Sequence, residues 1–305
     1  MDVRQLQVLR ELGELGSVKA VAEAMMVTPS AVSQQLTLLQ RSAGVPLTRK
    51  EGRNLVLTDA GQVLADAGGA VILAMAQARA AIDSYQEEPD AAVTLSGFHS
   101  AGQALFAPLA RSLKGSGLPT VRFSDEDVAQ QDFPALTARY DLVLAHRMEH
   151  SSPWPEGRIA VIPLASEPLD IALPPGHPLA GKESVSVADI ADEPWVTSRP
   201  GYSPDDVLKA VAAVASKPLN IVHRVNDYTT VSALVAAGDV LGLLPRFTSG
   251  PAFDPQAGSG VVLRPLRGIN TRRRIDLLAR PENLERRSVR TVCDALAGVM
   301  HSLGG

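Results

Sequence analysis

Residues 28–37 carry side chains whose chemistry suits contact with the edges of nucleic-acid bases. Ser and Thr hydroxyls and Gln amides both donate and accept hydrogen bonds, as base edges in the major groove of double-stranded DNA require. Helical spacing would place these groups in one small, uncharged stripe. Gln34 is suited to bidentate pairing with adenine. The residues predicted to face DNA are Ser30, Ser33, Gln34 and Thr37, with Thr28 and Pro29 at the entrance to the helix.

The other side of this predicted helix is apolar and would anchor it. Val32, Leu36 and Leu39 recur at the three- and four-residue spacing of a buried helix face. Thr28 is a suitable N-cap, and Pro29 at the first helical position lacks an N–H that would have no partner there. A shorter helix just before it, separated by a two-residue turn, completes a predicted helix-turn-helix.

A basic β-hairpin is predicted directly after these helices. Two strand-like segments, 46–49 and 54–57, flank a turn that contains Gly52. Between residues 41 and 53 there are four basic residues and one acid, a local charge of +3 on a chain whose net charge is −4. Overall charge therefore gives no argument for DNA binding, and this hairpin would have to hold the phosphates. The residues assigned to it are Arg49, Lys50 and Arg53.

A long helix is predicted over residues 59–88. Its apolar residues recur every three or four positions, the pattern of a seam that packs against a partner helix. The alternative is an amphipathic helix lying on its own domain. The seam is preferred, because DNA-binding proteins of this kind usually pair, and a homodimer is therefore expected. No apolar run approaches the ~20 residues of a membrane helix, so no membrane association is expected.

Length and composition narrow the class of protein. The 305 residues suffice for two or three domains, and Cys293 is the single cysteine, so an intramolecular disulfide is excluded. The histidines lack metal-binding spacing, and no serine lies in a Gly-x-Ser-x-Gly motif. We therefore expect neither an enzyme nor a bound metal or cofactor. The first residues contain no signal peptide, which favours a cytoplasmic protein.

Beyond residue 90 the pattern changes to strands alternating with helices. Such alternation predicts βαβ units around a parallel sheet. Residues 159–164 and 169–173 are predicted as two separate strands, and residues 281–303 as a closing helix. The basic run 271–274 precedes a strand predicted over 274–279, and we interpret it as a solvated sheet edge.

The whole chain resembles the LysR-type transcriptional regulators. No single motif is decisive, but together they form a specific pattern in both halves of the sequence. In the first half they are Gly16-Ser17, Ala20-Val21-Ala22, Pro29–Leu36, Gly44–Leu47 and Gly52–Gly61; in the second half they are Pro163-Leu164, Glu167-Pro168-Leu169, His177–Ala180, Val235–Gly238 and Leu241–Pro245.

The resemblance implies an α/β fold with three parts. They are a winged helix-turn-helix over 1–58, a long linker helix over 59–88 that forms the dimer, and a two-lobed effector domain over 91–305 like that of periplasmic binding proteins. Lobe one would comprise 91–163 and 267–305, and lobe two 164–266. It also implies an imperfect palindromic promoter site, a dimer or a tetramer, a small-molecule effector between the lobes, and RNA polymerase as a candidate partner.

Three loops of the second half are implied to face the effector. One of them opens a helix N-terminus, which favours anions, so the effector is hypothesised to be a small carboxylate or another anion. Arg147 and Arg199 were equally compatible with an exposed surface position. The residues assigned to the effector are Phe98, His99, Ser100, Ala101, Arg147, Ser198, Arg199, Tyr202, Asp227, Thr229 and Thr230.

The sequence departs from the family pattern at two positions. Gln40 stands where the family usually has Glu, and Thr48 stands where it usually has the Phe that anchors the wing. The second departure puts the usual packing of the wing in doubt. The alternatives are a solute-binding or transport receptor and an enzyme with an appended DNA-binding domain. The N-terminal helix-turn-helix argues against the first of these.

Overall fold

The first three helices begin at the capping residues that the sequence provides. The computed structural model describes residues 1–52, 54–86, 92–115, 117–155, 157–249 and 260–304. Asp2 forms a capping box with Gln5 at the start of α1 (Val3–Leu15). Gly16 ends α1 in a left-handed conformation, and Gly13 lies inside the helix.

The helix-turn-helix has the bounds expected from its caps. Ser17 caps α2 (Val18–Ala24), and Thr28 caps α3 (Pro29–Ala43) by accepting the N–H of Ala31. Met26 between them has a φ of 53°, a left-handed conformation that makes this turn short. The helices enclose one core, whose fully or almost fully buried apolar side chains are Val8, Leu9, Leu12, Val21, Val32, Leu39 and Leu47.

The wing is a two-stranded antiparallel hairpin, β1 (Thr48–Glu51) and β2 (Asn54–Leu57). Its first strand starts two residues later than the predicted segment 46–49. Leu47 is buried, its N–H donates to the Gln40 side chain at 2.9 Å, and its carbonyl accepts the N–H of Thr58 at 3.0 Å. Gln40 and Thr58 therefore hold the base of the wing, which explains how it stays in place with Thr48 instead of Phe.

Helix α4 (Asp59–Gln86) leaves most of its apolar surface uncovered. Ala65, Gly68 and Ile72 pack inward, and Gly68 lies against Leu6 of α1. The stretch Asp59–Ile82 has a mean hydropathy of 1.3 and is long and apolar enough to cross a membrane, by length and composition alone. Only 17% of that window is buried, so the apolar stripe that the sequence predicted faces outward in a single chain.

Lobe one of the second half combines parallel and antiparallel strands. Strand β3 (Val93–Gly97) pairs in parallel with β4 (Val121–Asp125) and β5 (Leu142–Met148). Strand β13 (Arg272–Ala279) runs antiparallel to β5, so the prediction of a parallel sheet is only partly correct. The helix after β3 contains a π-helical turn at Gly102–Phe106. The elements of this lobe are β3 (Val93–Gly97), α5 (His99–Ala101), α6 (Ala107–Ser112), β4 (Val121–Asp125), α7 (Phe133–Leu136) and β5 (Leu142–Met148).

One long strand, β6 (Ala160–Leu173), joins the two lobes, where the sequence predicted two separate strands. Its first part pairs with β13 of lobe one, and its last part pairs with β10 and β11 of lobe two. The alternation of apolar residues is interrupted at residues 165–167. This interruption marks the point where the strand passes from lobe one to lobe two, and not a gap between two strands. The remaining elements of lobe two are β7 (Val185–Ser186), α8 (Val187–Ile190), β8 (Pro194–Thr197), α9 (Ser203–Ala215), β9 (Asn220–Arg224), α10 (Tyr228–Ala236), β10 (Gly242–Pro245), β11 (Val262–Arg264) and β12 (Leu266–Arg267).

The chain returns to lobe one through β13 (Arg272–Ala279) and ends in α11 (Arg287–Gly304). A 3₁₀ turn, Pro281–Glu285, separates the two, so the predicted closing helix starts six residues later than expected. Strand β13 lies between β5 and β6 in the sheet and is buried from Ile275 onward. It is therefore the central strand that runs from the boundary between the lobes to the far end of lobe one.

Candidate nucleic-acid interface and ligand cleft

The two faces of α3 differ in exposure as the sequence predicted. Val32, Leu36 and Leu39 are buried against the other helices. The Ser33 hydroxyl donates to the carbonyl of Pro29 at 3.0 Å, and a hydroxyl that donates along its own helix keeps its lone pairs free to accept. The predicted DNA-facing residues are all exposed, namely Thr28, Pro29, Ser30, Ser33, Gln34 and Thr37.

The wing places basic side chains beside this polar face. Arg49 and Lys50 are exposed on β1, and Arg49 forms a loose ion pair with Glu51 at 3.5 Å between side-chain atoms. An exposed pair of this kind is weak and leaves Arg49 available to a phosphate. Arg53, the third predicted phosphate contact, lies outside the described residues.

A narrow cleft lies between the lobes, at the ends of β3 and β5. Its enclosed volume is about 20 Å³, room for little more than one water molecule, so the lobes are closed on each other. Five predicted effector residues line it together with six that were not predicted. The lining comprises Phe98, His99, Ser100, Asp127, His146, Ser198, Tyr202, Pro204, Asn226, Tyr228 and Arg273.

Arg273 forms the floor of the cleft and is 1% exposed. Its guanidinium donates to the Glu167 carboxylate at 2.9 and 3.0 Å and to the Thr248 hydroxyl at 2.7 Å. Glu167 is itself fully buried and accepts the backbone N–H of Thr248. The guanidinium also lies 5.1 Å from the centre of the Phe98 ring, within cation–π range. Arg273 therefore contacts groups of both lobes.

The interpretation of the run 271–274 as a solvated edge is wrong for Arg273. Arg272 is exposed as expected, but the two residues occupy the first positions of β13, where side chains alternate between faces. The alternation turns Arg273 inward, where the carboxylate of Glu167 compensates its charge. A buried arginine needs such a carboxylate. Glu167, an acidic residue within the otherwise apolar Pro-Leu…Glu-Pro-Leu segment, was the signal in the sequence that could have indicated a buried basic partner.

His146 is a second cleft residue that the sequence did not indicate. Its Nδ1 lies 3.0 Å from the Ser203 hydroxyl, and its ring packs edge-on against Phe98 at 4.6 Å between ring centres. Burial lowers the pKa of His146 well below its ordinary value, and the charge of Arg273 acts in the same direction. The imidazole is therefore neutral and offers one donor and one acceptor.

Asp127 closes the mouth of the cleft from lobe one. Its carboxylate accepts from Arg199 at 3.2 Å and from Asn226 at 2.9 Å, both on lobe two. The Tyr202 hydroxyl donates to the backbone carbonyl of Asp127 at 2.8 Å. A shallower hollow of about 330 Å³ lies on the outer side of these contacts. We call Asp127, Arg199, Tyr202 and Asn226 the cleft mouth.

His99 lies between two carboxylates of opposite lobes. Its Nδ1 is 2.9 Å from Asp125 in lobe one, and its Nε2 is 2.9 Å from Asp227 in lobe two. The hydrogen bond to Asp125 is the largest cause that raises the pKa of His99 above its ordinary value, and the charge of Asp227 adds to it. Only the protonated imidazole donates from both nitrogens, so protonation favours the closed lobes.

The remaining predicted effector residues are less central. Arg147 lies away from the cleft, because its guanidinium faces Asp276 at 3.5 Å and the carbonyl of Ser151 at 3.2 Å. Ala101 is buried in the core of lobe one. Thr229 is exposed, and Thr230 donates to Asp227 and so helps to hold the partner of His99.

An exposed polar helix face beside a basic wing, followed by two lobes with a cleft, defines a DNA-binding regulator with a ligand-binding domain. The comparisons agree. Residues 3–62 match the family model of the bacterial regulatory helix-turn-helix protein, lysR family, and residues 86–300 match that of the LysR substrate binding domain. The chain therefore belongs to the LysR family of transcriptional regulators. Members of this family are regulators of transcription and not enzymes.

Individual relatives are distant but cover nearly the whole chain. An uncharacterized HTH-type transcriptional regulator of Bacillus subtilis, YybE, is 25% identical over 80% of this chain and 82% of its own. A full-length OxyR structure from Pseudomonas aeruginosa has a TM-score of 0.65 at 18% identity, and it covers 97% of this chain and 94% of that one. ArgP from Mycobacterium tuberculosis has a TM-score of 0.63 at 20% identity, with 99% and 98% covered. At such identities the two structures support the fold alone.

The bridge at His99 makes the closed state sensitive to pH. Stabilisation by a group whose pKa is raised is fully present below its ordinary value, about 6.5, and is lost as the pH rises through the raised value. The melting temperature of the wild type should therefore exceed that of His99→Gln at about pH 5.5, and the difference should shrink toward about pH 8.5. The control is His223→Gln on the exposed face of β9. A difference that does not change with pH would contradict the bridge.

Proposed function

We propose that the exposed face of α3 contacts the base edges of double-stranded DNA and that the wing holds the phosphates. The observation that supports this most directly is the face itself, six exposed residues without a charge on a helix anchored by a buried stripe. Neutral side chains give little electrostatic attraction, so Arg49, Lys50 and Arg53 would supply most of it. Such a protein acts in the cytoplasm, where promoter DNA and RNA polymerase, a candidate partner, are found.

The functional division follows the domain limits predicted from the sequence. Residues 1–58 bind DNA, 59–88 form the linker and dimer helix, and 91–305 bind the effector. The start of α4 at Asp59 and the helix-turn-helix before it support the first limit. Two such chains would place two α3 helices in successive major grooves of an imperfect palindrome, about 34 Å apart.

Dimerisation would bury the uncovered stripe of α4. Ala67, Val71, Ala74 and Ala78 lie along one side of the helix and are exposed, as are Met75 and Ile82 beside them. An apolar surface of this length is costly in water, and small side chains let two helices approach closely.

Substitution in this stripe tests the dimer. Val71→Glu should halve the particle mass measured by light scattering at a concentration where the wild type is dimeric, because it would bury a charge in the seam. Gln62→Glu adds the same charge on the opposite side of α4 and is the control. If both variants keep the wild-type mass, the seam lies elsewhere.

A small-molecule effector binds in the cleft and controls the regulator, and its class is a small carboxylate or another anion. The helix after Phe98 begins at the cleft, where Ser100 is a lining residue, and the free N–H groups of a first helical turn favour an anion. Arg273 in the floor offers guanidinium donors beside the Ser100 hydroxyl, while Glu167 compensates its charge. The aspartates around the mouth, Asp125, Asp127 and Asp227, carry one more charge than His99 and Arg199 compensate, so an anion has to bind through the donors of the floor and of the helix start.

DNA binding is tested by two substitutions with different expected signatures. Lys50→Ala should weaken binding to every sequence and lower the slope of log affinity against log salt by about 1. Gln34→Ala should remove about 1–3 kcal/mol of discrimination at one base pair and leave that slope unchanged. Gel shifts on the promoter region of the chain's own gene at several salt concentrations measure both quantities. Equal signatures for the two variants would contradict the proposed division of roles.

The class of effector is tested by thermal shift with matched compounds. Small carboxylates should raise the melting temperature, while their neutral amides and the corresponding amines should not. Ser100→Ala should lose the shift, because it removes a polar group from the cleft. Ser112→Ala, at the exposed end of the same helical segment, should keep it. Stabilisation by the neutral or cationic compounds alone would exclude an anionic effector.

A further inference from the structure

The DNA-binding domain is held against lobe one by a cluster of buried charges. Arg280, directly after β13, donates to Glu11 of α1 at 2.9 Å and to Glu14 at 2.7 Å. Arg10 of α1 donates to Glu11 at 3.0 Å and to Glu282 at 2.7 Å. We call these five residues the interdomain charge cluster.

The cluster is withdrawn from water to a degree that is unusual for surface ion pairs. The side chains of Arg280 and Glu11 are 3% and 6% exposed, and those of the other three residues are 11–13% exposed. Burial raises the pKa of Glu11, against the opposing charges of Arg280 and Arg10. A buried ion pair costs desolvation and adds little net stability, but it fixes relative position sharply because removing one partner is expensive.

The sequence of α1 already indicates a partner at this end. Glu11 and Glu14 lie in the last turn and a half of the helix, and that last turn contains no basic residue. Acidic groups at a helix C-terminus oppose the helix dipole. An isolated α1 would therefore be destabilised by both residues, whereas Arg280 compensates them from another domain.

Strand β13 connects this cluster to the cleft. Arg273 in the cleft floor lies on β13 and Arg280 in the cluster directly follows that strand, seven residues or about 23 Å further along. The strand is held on both sides from Arg273 to Leu278, by β5 in one register and by β6 with a β-bulge between Ile275 and Asp276. A strand paired on both edges moves as a unit more readily than it bends.

We infer that the interdomain charge cluster docks the DNA-binding domain onto lobe one and that β13 transmits the state of the cleft to this contact. The docked arrangement fixes the angle at which α3 is presented, and a change of the cleft that shifts β13 weakens the contact of Arg280 with α1. The docking stands on the observed ion pairs. Its control by the cleft rests on the proposed effector site.

Hydrogen exchange of the full chain tests the docking without a ligand. Arg280→Met keeps most of the aliphatic stem and removes the charge, and it should speed the exchange of amides in α1 and the first half of α4 by about tenfold or more. The matched control is Arg286→Met. Arg286 lies in the same segment but pairs with Asp141 and the carbonyl of Ala92, both outside the DNA-binding domain and α4.

Glu14→Gln weakens the same contact from the side of the DNA-binding domain. It serves as a second variant because loss of Arg280 could also perturb lobe one. It should speed exchange in the same peptides, while peptides of β3 and β5 remain as in the wild type. Equal exchange of α1 in the wild type, Arg280→Met and Glu14→Gln would overturn the docking. So would an equal effect of Arg286→Met.

A double-mutant cycle tests the transmission. Asp127→Asn loosens the cleft mouth by weakening its ion pair with Arg199. It should speed the exchange of α1 in the wild-type background and have no further effect in Arg280→Met. If Arg280→Met speeds exchange but Asp127→Asn does not, the docking stands and its control by the cleft is refuted. Additive effects of the two substitutions also refute that control.

Discussion

The guanidinium of Arg273 is buried at the boundary of the two lobes, and a buried charge needs a partner of opposite charge. Segments of both lobes are positioned by their contacts with this group. Glu167 neutralises Arg273, and the backbone after β10 folds over the pair so that the N–H groups of Phe247 and Thr248 satisfy the carboxylate. The same guanidinium lies near the rings of Phe98 and Tyr228, one from each lobe. Buried charge tolerates little displacement, so it sets the register in which the lobes meet.

Local signals in the sequence were sufficient for the DNA-binding domain. The Thr28 cap and Pro29 at the first helical position act within a few residues of each other, and the structure places both as predicted. The predicted polar face is exposed because the apolar stripe opposite it is buried.

The cleft was less predictable because its residues come from distant segments. The loop at 98–100 was expected, since a strand followed directly by a helix has a local pattern. Arg273 and His146 were missed, because burial of a polar side chain depends on partners 106 and 57 residues away in the chain. The continuity of β6 was missed for a related reason: its polar middle, Ser166 and Glu167, is compensated by β13 and by the segment after β10.

The closed cleft has a kinetic consequence. A space of about 20 Å³ admits no organic molecule, so any ligand enters only while the lobes are apart. The apparent dissociation constant is then the intrinsic one divided by the open fraction, and each contact at the mouth that favours closure lowers that fraction before the ligand arrives. After the ligand has bound, those contacts at the mouth that form again in the closed state slow its dissociation. Asp127 and His99 would therefore set the rate at which the ligand binds and the lifetime of the ligand-bound state, separately from how well the cleft fits its ligand.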